Sequence, residues 1–287
     1  MLSLILAALA ATAPAPKFTT PTDIVAHAPA SAWRAIPAED LLVVDLKSGA
    51  RVVIQLAPAF APVHVANIRT LARAKWWDGA AIYRVQDNYV VQWGHNEGLK
   101  LPAGIVTKPP AEYDRAKAGL NVTRFLYYDS YAPRAGFADG WPVAVQAGRV
   151  NLTHCYGYVG VGRNLSPDTG TGGELYAVIG QAPRQLDRVI AVVGRVISGI
   201  EAMSSLPRGT EALGFYKERS SDVPIASARL AADMPVAERP TYEVIDTGSA
   251  TFAAYVRKRA NRRDDFYIRP AGGVELCNVP VPVRLAK

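Results

Sequence analysis

The residues with most to offer chemically lie between Gly79 and Gly94, in the run GAAIYRVQDNYVVQWG. One cation, Arg84, stands in an otherwise apolar and aromatic stretch. Alternation from Ala81 to Val85 predicts Tyr83 and Val85 on one face and Ile82 and Arg84 on the other. After the polar turn Gln86-Asp87-Asn88 comes a second run, Tyr89, Val90, Val91 and Gln92. Two strands with a tight connection would set Arg84 and Gln92 on one face, beside Tyr89. Arg brings five N–H donors, Gln a donor and an acceptor, and Tyr an apolar wall. That set suits a neutral peptide better than a charged metabolite.

The elements that must hold these residues can be read on either side. Leu41–Leu46 and Arg51–Leu56 are β-rich runs around Lys47-Ser48-Gly49, a hairpin with a short Gly-containing loop. Ala61–Ala74 has helical periodicity, with Val65, Ile68, Leu71 and Ala72 on one face and Pro62 in the first turn. Leu99–Gly148 is rich in Pro, Gly, Ala and Tyr, and predicts extended loops and short strands. Strand patterns resume in Asn151–Gly162, Glu174–Gly180 and Val189–Val196, with a Gly-rich loop over Arg163–Gly173. Ile197–Leu206 reads as a short helix and Ile225–Ala231 as a late strand. Near the end, Thr247–Arg263 reads as a helix with Ser249 as N-cap, and Phe266–Ile268 and Val274–Val279 as short strands.

The chain has 287 residues, 49% hydrophobic and 20% charged, enough for one large domain or for one domain with an appendage. Net charge is +7 and the isoelectric point about 9.4. Lys and Arg are scattered along the chain, so no nucleic-acid partner is expected. The one basic cluster, Arg257–Arg263, reads as a solvated helix face. No apolar run reaches the ~18–20 residues of a membrane span. Leu2–Ala11 is apolar and Ala-rich, followed by small-residue cleavage sites, and predicts a signal peptide over 1–16 and export, to a periplasm. Residues 17–38 read as a lead-in, 39–234 as the main domain and 235–287 as a C-terminal extension. Cys155 and Cys277, the only cysteines, can pair if their Cα atoms lie within ~7 Å. His27, His64, His95 and His154 lack metal-ligand spacing, and no Lys-Ser/Thr follows Gly170–Gly173, so no metal or cofactor is expected.

Several segments, in order and at matching spacing over roughly Leu41–Ala232, resemble the cyclophilin-type peptidyl-prolyl cis-trans isomerases. WWDGAAIYRV is similar to that family's YYDGTTFHRV-like segment and NYVVQWG to its GFMIQGG-like segment. GGELYAVIG is similar to its GSQFFI-like strand, and LDRVIAVVGRVISGIE to its LDGKHVVFGRVVEGM-like run. The resemblance implies a mainly β fold, a closed eight-stranded antiparallel barrel capped by two helices, here with a small α/β extension.

It also implies an activity that needs few groups. A prolyl peptide bond rotates slowly, over a barrier of ~18–20 kcal/mol, because rotation breaks amide resonance. A site must hold the ring and the flanking backbone and favour the twisted amide over the planar one. By position Arg84 resembles the catalytic arginine, a donor to the lone pair that the proline nitrogen gains on twisting, and Gln92 the glutamine that bonds the peptide backbone. Tyr89, Val90, Tyr176 and Leu186 match walls of the proline pocket, and Gly162, Arg163 and Glu174 positions along the peptide groove. Gln185 stands where the family has an aromatic, Ile190 for a His, Glu174 for a Gln and Arg163 for an Asn. The expected partners are proline-containing polypeptides, bound by a monomer. The alternative is a non-catalytic proline-peptide binding module or chaperone on the same fold.

Overall fold

A computed structural model describes residues 19–95 and 99–286. The segment expected as a signal peptide lies outside the described residues. The first part of the described chain holds a short helix α1 (Pro21–Ala26), capped reciprocally by Thr20 and Asp23, and strand β1 (Trp33–Ala35). The lead-in therefore has structure of its own, which its Ala/Pro/Thr composition hides.

Next comes the predicted hairpin, β2 (Leu41–Leu46) and β3 (Arg51–Leu56). Side chains alternate across a strand. Leu42, Val44, Leu46, Val52, Ile54 and Leu56 accordingly enter the main core, while Leu41, Val43 and Val53 face a second one. Both faces are covered, so both registers of the alternation are apolar.

Helix α2 (Pro62–Arg73) starts on Pro62 and buries Val65, Ile68, Leu71 and Ala72 against the barrel, as its periodicity predicts. Ala61 supplies no side-chain cap. The Glu112 carboxylate does so from a distant loop, accepting from the backbone N–H of Val63 (2.9 Å) and His64 (3.0 Å) and from His64 Nδ1 (2.7 Å). Strands β4 (Ala81–Val85) and β5 (Val90–Gly94) then form the central hairpin.

In the long Pro/Gly-rich stretch the structure holds more order than the sequence predicts. Short strands β6 (Arg115–Ala116) and β7 (Val122–Arg124) join the hairpin β8 (Arg134–Ala138) and β9 (Trp141–Gln146) and strand β10 (Arg149–Leu152). They make a five-stranded sheet in the order β6-β10-β9-β8-β7. Its turns at Asp139-Gly140 and Ala147-Gly148 use left-handed backbone, which disguises the strand pattern.

The chain returns to the barrel through β11 (Tyr158–Val161), β12 (Leu175–Val178), β13 (Val192–Ser198), helix α3 (Ile200–Ser204) and β14 (Val223–Leu230). The barrel closes in the order β11-β12-β5-β4-β14-β2-β3-β13, all pairs antiparallel. Eight strands enclose an interior just wide enough for side chains to fill. Ile82, Trp93 and Leu175 from the strands share one core with Trp77 and Met203 from outside them. The fold class read from the sequence is thus borne out, with α2 and α3 as the two capping helices.

The C-terminal part supplies β15 (Tyr242–Ile245), α4 (Ala250–Ala260) and β16 (Val283–Leu285). Ser249 caps α4, accepting from the N–H of Phe252 at 3.1 Å. β15 pairs with both β16 and the N-terminal β1, and α1 packs on α4. Lead-in and extension therefore share one core, which covers the outer face of the first hairpin through Leu41, Val43 and Val53. Two predicted strands are absent. Phe266–Ile268 is largely exposed loop, and Val274–Val279 contains a 3-10 turn, Leu276–Asn278, that seats Leu276 in the core. Cys155 and Cys277 form a disulfide with Cα atoms 5.1 Å apart, tying the extension to the barrel.

Candidate active site

Arg84 and Gln92 face one another across the central hairpin, in register. The ladder shifts between Ile82 and Arg84, so Tyr83 is the extra residue of a β-bulge. The simple alternation fails here. Ile82 and Val85 both enter the barrel core, while Tyr83 and Arg84 both line the groove. The bulge thus puts two groove side chains on adjacent residues.

The Arg84 guanidinium is half-buried and held at three points. Nε donates to Leu213 O at 2.7 Å, Nη1 to Gln92 Oε1 at 2.9 Å and Nη2 to Gln86 Oε1 at 2.6 Å. A guanidinium has five N–H bonds, so two are left without a protein acceptor among the described residues. The segment 209–216 runs beside β4, with Gly209 N–H bonded to Val85 O and Tyr216 N–H to Tyr83 O. It delivers both the Leu213 carbonyl and the Phe215 ring, whose centroid lies 5.4 Å from Arg84 Cζ. On the other side the Tyr89 ring is 5.9 Å away. Burial draws Arg84 below its ordinary pKa, and Tyr89, Tyr83 and Tyr176 act in the opposite direction. The group remains a cation at neutral pH, since an arginine side chain is not deprotonated in proteins.

Gln92 is bonded at both ends of its amide. Oε1 accepts from Arg84, and Nε2 donates to Tyr83 Oη at 2.9 Å and to Glu174 Oε2 at 3.1 Å. The Tyr83 hydroxyl donates to the same Glu174 oxygen in a very short bond. Burial, and then that bond, pushes the Tyr83 phenol far above its usual value. The charge that Glu174 brings to the groove is therefore met by two donors. Trp76 and Trp77 both donate to Gly173 O, at 3.2 and 3.0 Å, which fixes the chain just before Glu174.

The apolar wall is a small cluster of Val90, Tyr176 and Val178, with Tyr89 and Ile190 packed on it. Val90 and Tyr176 come from neighbouring strands β5 and β12. Tyr176 lies across Gly160 of β11, where an added Cβ would stand 2.3 Å from its ring. That close approach requires glycine. Behind the wall the Tyr176 hydroxyl meets His154 Nε2 at 2.9 Å, and His154 Nδ1 meets Asp187 Oδ1 at 3.1 Å. Asp187 accepts from Arg184 Nε at 2.5 Å, and Arg184 is paired with Asp129 at 2.9 Å. All five of these residues are wholly or nearly buried.

Tyr89, Val90, Arg84, Gln92, Gly162, Arg163, Glu174, Tyr176 and Leu186 all line one cavity of about 740 Å3, with Ile190. Every site residue predicted from the sequence is thus brought to one place. Arg163 is turned onto the protein, donating to Val189 O at 3.1 Å and Asn164 O at 2.7 Å. Gln185 is exposed and not among the lining residues. The sequence reading missed Tyr83, Gln86, Leu213 and Phe215. The bulge that turns Tyr83 into the groove leaves no mark in the alternation, and nothing in the loop sequence marks Leu213 or Phe215.

Comparison with known proteins bears on the family and the fold. The family model described as "Cyclophilin type peptidyl-prolyl cis-trans isomerase/CLD" matches residues 42–230. A protein of Brucella suis biovar 1 (strain 1330), named "Probable peptidyl-prolyl cis-trans isomerase", is 27% identical over 174 residues, 61% of this chain and 74% of that one. A protein of the same name from Brucella abortus (strain 2308) is 26% identical over the same shares. Among solved structures, the cyclophilin AquaCyp293 from Hirschia baltica superposes with a TM-score of 0.67 at 22% identity, over 94% of this chain and 99% of that one. The likeness in fold thus runs beyond the barrel into the flanking elements. From the family match and the barrel that carries the Arg84 groove, the chain belongs to the cyclophilin-type peptidyl-prolyl cis-trans isomerases.

Proposed function

We propose that Arg84 is the group that accelerates X–Pro rotation, acting on unfolded or newly exported polypeptides. The observation that carries this is the triple anchorage of its guanidinium beside the Val90–Tyr176 wall, with two N–H bonds to spare. A planar amide nitrogen offers no lone pair, whereas a twisted one does. A donor fixed in advance favours the twisted state without reorganising, which is differential binding of the transition state. Val90, Tyr176 and Leu186 hold the ring, Tyr89 closes one side, and Gly162, Arg163 and Glu174 border the flanking backbone. No proton transfer, nucleophile or metal is needed for a rotation.

We place the protein outside the cytoplasm. The Ala-rich start supports this, as does the Cys155–Cys277 bond, since disulfides persist in oxidising compartments. No helix of the described residues is long and apolar enough to cross a membrane. We further propose that it works as a monomer.

The alternative is a non-catalytic proline-peptide binding module, and in either reading both N–H bonds of Gln92 are already engaged, by Tyr83 and Glu174. A peptide carbonyl must compete for that amide. An isomerisation assay on wild type and Arg84→Ala separates the two readings, because a binder would hold prolyl peptides without speeding their exchange.

A further inference from the structure

A second cavity, of about 600 Å3, opens beside the groove. Its rim is built from Tyr127, Tyr128, Tyr131, Arg124, Arg134 and Arg188. The two cavities share one short loop. Leu186 and Ile190 line the Arg84 groove, while Arg188, midway between them, lines the second cavity. Two residues span at most ~7 Å of extended chain. The linings of the two cavities therefore come within ~7 Å of one another along the backbone at this loop.

Charge says what would settle there. The only acid among the described lining residues, Asp129, is buried and fully occupied. Its two oxygens accept from Arg184 at 2.9 and 3.2 Å, and Oδ1 also accepts from the N–H of Tyr131 and Ala132. Arg124, Arg134 and Arg188 are exposed and make no ion pair or side-chain hydrogen bond among the described residues. Three uncompensated cations thus surround a concave site walled by tyrosines. Tyr128 and Tyr131 are 84% and 51% exposed, large apolar faces held on the surface. Unpaired arginines prefer carboxylates, which they grip through two parallel N–H bonds.

The loop that forms this cavity is also anchored. Asp129 fixes it to Arg184, and Arg184 bonds Asp187 at the back of the proline-pocket wall. The second cavity is therefore held in a set position relative to the first.

We propose that this second cavity is a subsite for an acidic segment of the same polypeptide whose X–Pro bond occupies the Arg84 groove. The proposal rests on the isomerase reading above. It makes the enzyme selective for prolines that have Asp or Glu, with an aromatic or apolar residue among them, a few residues away along the chain.

The test is isomerisation by exchange NMR, without a coupling protease, on the full-length protein. Peptides share one X–Pro core and carry an extension of about six residues, ~20 Å when extended. The extension is acidic or an Asn/Gln match, and is placed on either side of the core. An acidic extension on at least one side should lower KM about five- to tenfold relative to its neutral match at low salt, with kcat little changed. The ratio should fall towards one in high salt and in the variant Arg124→Ser/Arg134→Ser/Arg188→Ser. Equal KM values for acidic and neutral peptides on both sides, with the core still turned over, would overturn the subsite and leave the isomerase reading intact. Loss of core turnover in wild type would overturn both. A third arm uses vesicles of anionic lipid. Arginine-dependent vesicle binding without peptide discrimination would assign the cavity to a membrane surface and overturn the proposal.

Discussion

Nη1 of Arg84 donates to Oε1 of Gln92 across the central hairpin, at 2.9 Å. That one bond fixes which way the Gln92 amide faces, because a cation can meet only its oxygen. Nε2 must then face Tyr83 and Glu174, as it does. The catalytic candidate and its neighbour thus orient each other, and the cost is an amide donor already in use.

Removing the competing acceptor should help the substrate. In Glu174→Ala, Nε2 of Gln92 loses one partner and is freed towards a peptide carbonyl. One neutral hydrogen bond is worth ~0.5–1.5 kcal/mol, so KM for an uncharged prolyl peptide should fall about two- to tenfold, with kcat nearly constant. A rise in KM would show that Glu174 instead holds Gln92 ready for substrate.

The remote cap on α2 should set the acid limb of stability. Burial alone would raise the Glu112 pKa, but the bonds from His64 and from the backbone N–H groups outweigh it and hold it below its ordinary 4.5. A lowered folded-state value means stability that is present above about pH 4.5 and lost as pH falls through the folded value. Glu112→Gln should cost ~1–2 kcal/mol near neutrality and flatten that acid limb. Urea midpoints between pH 3 and 7 would check it.

Tyrosines should set the alkaline limb. Burial raises the phenols of Tyr83, Tyr158, Tyr176, Tyr216 and Tyr255 above their ordinary 10. As pH rises through about 10 the unfolded chain loses these protons while the folded chain keeps them. Stability is therefore full below pH 10 and falls progressively above it. Tm measured from pH 8 to 11 should decline above 10, and less steeply in Tyr158→Phe, whose buried hydroxyl no longer titrates on unfolding.

The disulfide joins positions 122 residues apart. Closing a loop of that length limits the unfolded chain by ~4–5 kcal/mol in the loop-entropy account. Reduction should lower the midpoint of unfolding markedly, while isomerase activity persists under conditions where the chain stays folded, since neither cysteine lines the groove. An unchanged midpoint after verified reduction would contradict this.

Much of the site was legible because it sits on regular strands of a buried barrel. Arg84, Gln92, Tyr89 and Val90 come from one hairpin, and their order alone places them together. Tyr83 was assigned to the wrong face because a bulge breaks the alternation that local sequence suggests. Leu213 and Phe215 reach Arg84 from a loop more than a hundred residues later, and long-range docking leaves no local pattern. The β8–β9 hairpin was hidden by Gly, Pro and Ala within strands, which weaken propensity where tertiary pairing decides. The lead-in escaped for a similar reason. Its strand β1 has three residues and gains its partner from β15, at the other end of the chain.

The most direct test is exchange NMR of an X–Pro peptide with wild type, Arg84→Ala, Arg84→Lys and Tyr89→Ala, each shown to be folded by circular dichroism. A charge-assisted hydrogen bond made chiefly in the transition state is worth ~1.5–3 kcal/mol. Arg84→Ala should therefore lose about ten- to a hundredfold in kcat/KM, with a smaller loss of peptide affinity. Arg84→Lys should recover little, since an ammonium lacks the planar fork that meets Leu213, Gln86 and Gln92 at once. Tyr89→Ala should weaken binding more than kcat. Full activity in Arg84→Ala, or a wild type that binds prolyl peptides without accelerating their exchange, would contradict the account.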